Sequence, residues 1–361
     1  MIGPAFETFE QVLLGRAESD RVHFVELGID PEVGRYLVEH ELRRPWLAWP
    51  CTARTRDDYW RQIVDLYAHL GYDYVPVWLP TVGMPEGERL AATDTADLSR
   101  GQRRWVNQHQ GQIASRDDLN RYPWDEVTWE FDVLDVIAAH LPDGMRMVVS
   151  NSTFEVVLKD LLGYEAFFYL LHDDRGLVEE TLERWGDKVE EYYREALRRP
   201  AVGAIFHADD LGFRTGSFLS PADTARIVLP WFRRYVSLAH ENGRTAWLHS
   251  CGNLAALMDD LIDVGFDALH SFQDLVMPVT DFKRRYGHRI AALGGVDMDR
   301  FARSSEAGLR AYVRHVLGAC VPGGRYALGS GNSVANYVPV RNYLAMLDEG
   351  RRWPDRLRAG C

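Results

Sequence analysis

Two apolar stretches that end in polar residues decide the fold: residues 203–210 read GAIFHADD and residues 245–252 read TAWLHSCG. Each has the length and composition of a buried strand. Between them, the sequence SPAD at residues 220–223 is typical of a helix start, with a capping serine and a proline at the first helical position. This helix is predicted to end near residues 242–243, so the whole stretch forms one strand–helix–strand unit.

The same alternation of an apolar strand and an amphipathic helix recurs along the chain. The predicted strands are residues 22–28, 72–79, 146–151, 203–210, 245–252, 268–273, 290–296 and 326–332. Further helices are predicted to start near residues 173–174 and 304–306. Alternating units imply a parallel sheet, and eight of them favour a single (β/α)8 TIM barrel spanning residues 1–361. An open doubly wound sheet is the alternative, but no Gly-x-Gly-x-x-Gly follows the first strand.

Composition and charge exclude several classes of protein. The chain has 361 residues, of which 46% are hydrophobic, yet its longest apolar runs are shorter than the roughly 20 residues of a membrane helix. The first residues lack the order of a secretory signal, so we expect a cytoplasmic protein without a membrane partner. A formal net charge of -12 argues against binding to nucleic acid.

The positions of the lysines argue against a Schiff-base mechanism. The three lysines, Lys159, Lys188 and Lys283, all fall in predicted helices. A Schiff-base enzyme needs its lysine at the active face, so we expect no such chemistry.

Residues 80–142, between the second and third predicted strands, form a long polar stretch that contains Trp105, Trp124 and Trp129. Insertions after a barrel strand lie over the active face, so this stretch is predicted to be a lid that supplies substrate-binding aromatic side chains. The alternative is a packed excursion whose tryptophans form a small core of their own.

The active site of such a barrel lies at the carboxyl ends of its strands, and the fifth strand ends in His249 and Cys251. Residues two apart on a strand point to the same side, so imidazole and thiol are expected to project together into the barrel mouth. Nitrogen and sulfur are ligands that zinc prefers. The pair therefore predicts a zinc site, with a structural histidine beside a buried cysteine as the alternative.

A catalytic zinc needs a third protein ligand and keeps one position open for substrate. The remaining cysteines, Cys51, Cys320 and Cys361, are not at strand ends, so we expect a carboxylate or a histidine instead. Asp210 is the first candidate, and the others are Glu26, His207, Asp209 and His270.

The end of the fourth strand also suggests acid–base chemistry. His207 and Asp209 share a face, and Asp210 lies at the turn, so the group is predicted to be catalytic, either as an acid–base pair or as a ligand with its support. In the alternative interpretation Asp209 pairs with Arg214 and Asp210 caps the following loop.

Several other residues are predicted to bind substrate. Trp78, His270 and Asn332 lie at predicted strand ends, and Arg35 and Arg214 are available to an anionic substrate. The glycines at positions 294, 295, 329 and 331 either leave backbone free for a phosphate or carboxylate or serve tight turns alone.

Six stretches resemble the uroporphyrinogen decarboxylase superfamily over nearly the whole chain. They are residues 249–253, 265–268, 294–297, 322–324, 329–332 and 339–343. The resemblance implies a (β/α)8 barrel, in agreement with the strand count.

The superfamily contains two main chemistries. Its true decarboxylases use no metal and grip substrate carboxylates with an Arg-Gln-Ala-Gly-Arg stretch. Residues 31–35 here read PEVGR, so that only the second of the two arginines is present, as Arg35, and Glu32 would repel a polycarboxylate. Its zinc methyltransferases move a methyl group between a corrinoid protein and a thiol, with zinc held by His-x-Cys and a later cysteine. His249 and Cys251 match that pair, but residues 329–332 contain no cysteine.

The resemblance favours a zinc-dependent methyl or alkyl transferase that activates a thiol or hydroxyl substrate. Its expected partners are a small-molecule substrate and a corrinoid protein, and a homodimer is the family's common assembly. The alternative is a metal-free decarboxylase in which His207 or Asp209 protonates a carbanion while Arg35 or Arg214 holds a carboxylate. A third hypothesis is a non-catalytic binding protein that keeps the barrel.

Overall fold

The computed structural model describes residues 3–52, 54–107, 109 and 111–358. The strands are β1 (Tyr74–Val77), β2 (Thr81–Val82), β3 (Arg89–Thr93), β4 (Gln102–Val106), β5 (Thr128–Trp129), β6 (Arg146–Asn151), β7 (Val202–Ala208), β8 (Thr245–His249), β9 (Ala268–His270), β10 (Ala291–Leu293) and β11 (Tyr326–Ala327). Seven of these described strands form one parallel sheet in the order β1-β6-β7-β8-β9-β10-β11. The predicted parallel α/β architecture is therefore confirmed.

Helices connect the strands, as the alternating pattern predicts. The helices are α1 (Phe6–Leu13), α2 (Pro31–His40), α3 (Arg56–Leu70), α4 (Arg116–Arg121), α5 (Asp132–Ala138), α6 (Phe154–Val156), α7 (Tyr164–Asp173), α8 (Arg175–Leu197), α9 (Pro221–Ile227), α10 (Leu229–Glu241), α11 (Met258–Val264), α12 (Val279–Tyr286), α13 (Met298–Arg303), α14 (Glu306–Cys320) and α15 (Val340–Arg358). A π-helical turn, Val157–Leu161, follows α6 directly. None of the helices among the described residues is long and apolar enough to cross a membrane.

The predicted helix starts are confirmed by their capping contacts. The side chains of Asp174, Ser220 and Ser305 each accept a hydrogen bond from a backbone N–H in the first turn of α8, α9 and α14. These contacts satisfy donors that a helix start leaves free. The helix predicted to end near residue 242 is divided at Val228 into α9 and α10.

The prediction of a regular first strand at residues 22–28 is wrong. On one side this segment pairs with the end of the sheet, where Val25 N donates to Leu328 O at 2.9 Å. On the other side the Tyr74 hydroxyl of β1 accepts from Glu26 N at 2.9 Å and donates to Glu26 O at 2.7 Å. The Tyr74 hydroxyl takes the place of the backbone hydrogen bonds that a strand at residues 22–28 would form with β1. The segment therefore connects both edges of the sheet without forming a regular strand. The result is a TIM-barrel-like fold.

Replacing Tyr74 by phenylalanine tests this closure. The change leaves the buried backbone groups of Glu26 without their partner, so we expect the free energy of unfolding to fall by about 1–3 kcal/mol. Urea unfolding measures the change. Tyr169→Phe, which removes a hydroxyl from an exposed side chain, should stay within about 0.5 kcal/mol of wild type.

The amino-terminal end of the barrel is filled with aromatic side chains. Trp247 of β8 is fully buried, with ring centroids 5.5 Å from Tyr74, 5.5 Å from Phe206 and 5.6 Å from Phe9 of α1. Helix α1 thus packs across this end of the sheet. Polar groups that follow the strands gather at the opposite end.

Residues 80–142 differ in exposure along their length. The hairpin β3–β4 is exposed and includes Trp105, whereas Trp124 and Trp129 are buried. The Trp129 ring lies 5.0 Å from that of Tyr192 in α8, so it joins the main core rather than a separate one. Helix α5 contacts α3 and β6.

Candidate metal centre

Three potential ligands meet where β7 and β8 end. Asp210 lies two residues after β7, His249 is the last residue of β8, and Cys251 lies two residues farther on. Their ligand atoms all lie within 4.8 Å of one another. Among the candidates for a third ligand, the structure therefore brings Asp210 to the His249–Cys251 pair.

The loop that carries Cys251 needs a glycine next to it. Gly252 has a φ of +93°, and a Cβ at this position would lie 2.2 Å from Gly212 O. Only a residue without a side chain allows the loops after β7 and β8 to approach so closely. This approach brings Asp210 Oδ1 to 2.8 Å from the backbone N–H of Cys251, which donates to it.

His249 is buried, and a second histidine fixes its orientation. Its Nδ1 lies 2.7 Å from Nδ1 of His270, whose Nε2 lies 3.1 Å from Ser330 O. Burial lowers the pKa of His249 to about 4, and burial together with the neighbouring His249 holds the pKa of His270 well below its usual value. Both rings are therefore neutral near pH 7. The remaining His249 nitrogen, Nε2, lies 3.7 Å from Cys251 Sγ and 3.6 Å from Asp210 Oδ1.

Two further polar side chains contact the Cys251 sulfur besides those of His249 and Asp210. Asn332 Nδ2 donates to it at 3.4 Å, and Ser271 Oγ lies 3.1 Å away and donates to Gly331 O. Burial, together with the Asp210 carboxylate, raises the pKa of Cys251 to about 12. Without a cation the thiol therefore keeps its proton. Asn332, predicted to bind substrate, contacts this sulfur directly.

Ser271 is a residue that the sequence prediction missed. It directly follows β9 and has a φ of +92°, a conformation that is strained for any residue except glycine. This backbone conformation places the Ser271 hydroxyl next to Cys251 Sγ and Gly331 O. Its place after the strand-end residue His270 was the signal available in the sequence.

His207 and Asp209 lie behind the cluster and are fully buried. Asp209 accepts from His207 Nε2 at 2.8 Å, from Ser152 Oγ at 2.6 Å and from the backbone N–H groups of residues 153–155. Burial opposes its charge, but His207 and these donors hold the pKa of Asp209 below its usual value. Neither side chain has an atom open to the barrel mouth, and Asp209 pairs with His207 rather than with Arg214.

Lys159 corrects the expectation that the lysines lie away from the active face. It lies on the π-helical turn after β6, forms an ion pair with Glu155, and is close enough to Asp210 for the two charges to interact. Burial alone would lower the pKa of Lys159, but Glu155 and Asp210 raise it. Lys188 and Lys283 lie in α8 and α12, as predicted for helical residues.

The other predicted residues lie outside the cluster of ligands. Arg35 is on the exposed face of α2, 4.0 Å from Glu39, and Arg214 is exposed in the loop after β7. Trp78 follows β1 with 45% of its surface exposed. Glu26 is buried and bonded to Ser330, and burial raises its pKa to about 8.

The remaining cysteines do not join the cluster. Cys51 precedes α3 and Cys320 ends α14, and both are outside the group of ligands found among the described residues. Cys361 lies outside the described residues.

The fold and the site define a TIM-barrel-like protein with a candidate metal centre at the carboxyl ends of its strands. The chain belongs to the uroporphyrinogen decarboxylase (URO-D) family, whose model matches residues 113–353. A search of curated proteins gave no match.

Two solved structures extend the comparison. A methyltransferase from Methanosarcina mazei is similar over 97% of this chain and 99% of its own, with a TM-score of 0.68 and 16% identity. A protein described as “Putative Vitamin-B12 Independent Methionine Synthase from Listeria monocytogenes” is similar over 95% of this chain and 98% of its own, with a TM-score of 0.49 and 10% identity. At such identities the first likeness establishes the fold alone.

Proposed function

We propose that the protein is a zinc-dependent methyl or alkyl transferase that activates a thiol or hydroxyl substrate. The observation that carries the proposal is the cluster of Asp210, His249 and Cys251, whose ligand atoms lie within 4.8 Å of one another. Membership of the URO-D family supports an enzyme built on this barrel. The family resemblance of the His-x-Cys pair supports the transferase over the decarboxylase.

The three residues fit a zinc ion in chemistry and spacing. A tetrahedral zinc with bonds of about 2.0 Å to nitrogen and 2.3 Å to sulfur separates these two ligands by about 3.5 Å. The separation of His249 Nε2 and Cys251 Sγ is 3.7 Å, and that of His249 Nε2 and Asp210 Oδ1 is 3.6 Å. One nitrogen, one sulfur and one oxygen ligand leave a fourth position for a substrate, as catalytic zinc sites do.

In this proposal Asp210 replaces the later cysteine of the family's zinc methyltransferases. Residues 329–332 supply Asn332, which donates to the Cys251 sulfur instead of binding metal itself. That hydrogen bond stabilises the sulfur once its proton has left.

When bound, zinc supplies a Lewis acid that makes a thiol or hydroxyl nucleophilic at neutral pH. The chain's own residues then have distinct roles. His249 and Asp210 contribute neutral and anionic ligand atoms, while Cys251 gives up its proton. His207 and Asp209 position the backbone of residues 152–155, and with it the Glu155–Lys159 pair beside Asp210.

The proposal includes a lid and partners. Within residues 80–142 the exposed β3–β4 hairpin with Trp105 covers the mouth of a single domain and, with Trp78 before it, contacts the substrate. The acceptor is a small molecule, the methyl donor is carried by a corrinoid protein, and the assembly is a cytoplasmic homodimer. The decarboxylase alternative has less support, because Arg35 lies beside Glu39 and His207 and Asp209 are enclosed.

Zinc analysis combined with a transfer assay tests the function. We expect about one zinc per chain after reconstitution, and methyl transfer from methylcobalamin to 2-mercaptoethanol that stops with a chelator and returns with zinc. Absence of zinc after reconstitution would contradict the proposal. Chelator-resistant turnover of carboxylated substrates would favour the lyase, and tight ligand binding without turnover would favour the binding protein.

A further inference from the structure

A chain of buried hydrogen bonds connects the first segment of the barrel to the candidate ligand His249. The carboxyl group of Glu26 accepts from Ser330 N at 2.8 Å and from Ser330 Oγ at 2.5 Å. The carbonyl oxygen of Ser330 lies 3.1 Å from His270 Nε2, and His270 Nδ1 lies 2.7 Å from His249 Nδ1. Glu26, Ser330 and His270 are fully buried, so solvent does not compete for these contacts.

The chemistry of each group sets the direction of the hydrogen bonds. A carbonyl oxygen only accepts, so His270 Nε2 carries the proton that it shares with Ser330. In a neutral imidazole the other nitrogen is then an acceptor, so His270 Nδ1 accepts a hydrogen bond from the N–H at His249 Nδ1. It follows that the lone pair of His249 is on Nε2, the nitrogen that faces Asp210 and Cys251.

The packing around His270 restricts its ring to the observed orientation. Its ring lies against Phe206, with centroids 5.5 Å apart and an interplanar angle of 79°. At Gly294, with a φ of +78°, a Cβ would lie 2.9 Å from His270 Nε2 and 2.2 Å from Ser330 O. The glycine thus leaves room for the hydrogen bond that orients His270. Glu26 holds the other end through both donors of Ser330.

We propose that His270 is a positioning residue, which selects the tautomer of His249 and directs its Nε2 toward Asp210 and Cys251 before any metal binds. The consequence for zinc rests on the proposed function, whereas the tautomer itself does not. Residues that hold a ligating histidine through its second nitrogen typically change metal affinity about 10- to 100-fold when they are lost.

The first test uses the metal-free protein. Nitrogen chemical shifts of histidine-labelled protein report which ring nitrogen carries hydrogen, and we expect His249 to be protonated on Nδ1. His270→Gln offers an oxygen acceptor to His249 and an amide donor to Ser330, so it should keep this tautomer. His270→Leu fills space without either group, and most His249 should shift to the Nε2–H form. His23→Gln, at a buried histidine bonded to Asp73 elsewhere in the barrel, is the matched control and should leave His249 unchanged.

The second test measures zinc affinity by competition with a chromophoric chelator. We expect His270→Leu to bind zinc about 10- to 100-fold more weakly and His270→Gln to stay close to wild type. A wild-type His249 protonated on Nε2, or a tautomer unchanged in His270→Leu, would overturn the inference. Should His270→Leu not fold, the wild-type spectrum and His270→Gln still decide it. Wild-type protein that binds no zinc yet shows the expected tautomer would contradict the proposed function alone.

Discussion

Replacing Asp209 by alanine is expected to lower the free energy of unfolding by about 3–5 kcal/mol. The carboxylate is fully buried and accepts hydrogen bonds from His207, Ser152 and the backbone N–H groups of residues 153–155. Alanine leaves all these donors buried without a hydrogen-bond partner, and each buried donor without a partner lowers the stability of the folded state. Urea unfolding followed by circular dichroism, with the slope of the transition checked against wild type, measures the loss.

The adjacent residue supplies a matched control. Asp210 is a carboxylate of the same charge, but 28% of its side chain is exposed, and within the described part of the chain its backbone partner is the N–H of Cys251. Asparagine at 210 still offers an oxygen to that N–H, so Asp210→Asn should change stability by less than about 1 kcal/mol. A similar loss in both variants would mean that the contacts of Asp209 are not what holds residues 152–155 in place.

The fold could be predicted largely because its signals are local. Helix starts at Asp174, Ser220 and Ser305 depend on one capping side chain each, and the strands are short apolar runs between turns. The segment at residues 22–28 has the same composition, but its conformation depends on the hydroxyl of Tyr74, about fifty positions along the chain. Pairing between distant residues is not visible in local periodicity, so this strand was predicted wrongly.

The candidate site was predictable where strand ends determine it. Because parallel strands of one sheet end at one edge, Asp210 was expected near His249 and Cys251, and the ligand atoms of the three lie within 4.8 Å of one another. Asn332 was expected at the same edge as a substrate-binding residue, and the structure shows that it donates to the Cys251 sulfur. The roles within the group were less predictable. His270 contacts His249 rather than the open mouth. Lys159 comes close enough to Asp210 for their charges to interact, and Asp209 accepts from backbone N–H groups at the start of α6, directly before the turn that carries Lys159. Such details depend on side-chain packing and hydrogen bonds that a pattern of residue types does not encode.

Stability and the proposed metal binding therefore depend on neighbouring residues with different surroundings. Asp209 and His207 face inward, where every polar atom is satisfied by the protein. Asp210 and Cys251 are half-buried, and their ligand atoms and that of His249 lie within 4.8 Å of one another. Substitution of Asp209 or His207 is therefore expected to lower the stability of the fold. Substitution of Asp210, His249 or Cys251 is expected to weaken metal binding.

Cys251→Ala is expected to abolish zinc binding and methyl transfer together. The variant loses the only sulfur of the cluster, and the two remaining ligands are fewer than the three that a catalytic zinc site uses. We expect bound zinc to fall from about one per chain to near zero, and the affinity to fall by more than about 100-fold, beyond the effect of losing a supporting residue. Elemental analysis after dialysis against a weak chelator gives the content, and chelator competition gives the affinity.

Two further variants make the result specific. Cys51→Ala removes another half-buried cysteine that lies outside the cluster, so it should retain zinc and activity. Asp210→Asn should lose zinc while its unfolding transition stays near that of wild type, because asparagine keeps the bond to Cys251 N but gives up the anionic ligand. If Cys251→Ala kept zinc at full stoichiometry, the metal would have to bind elsewhere, and the pairing of Cys251 with His249 would be structural.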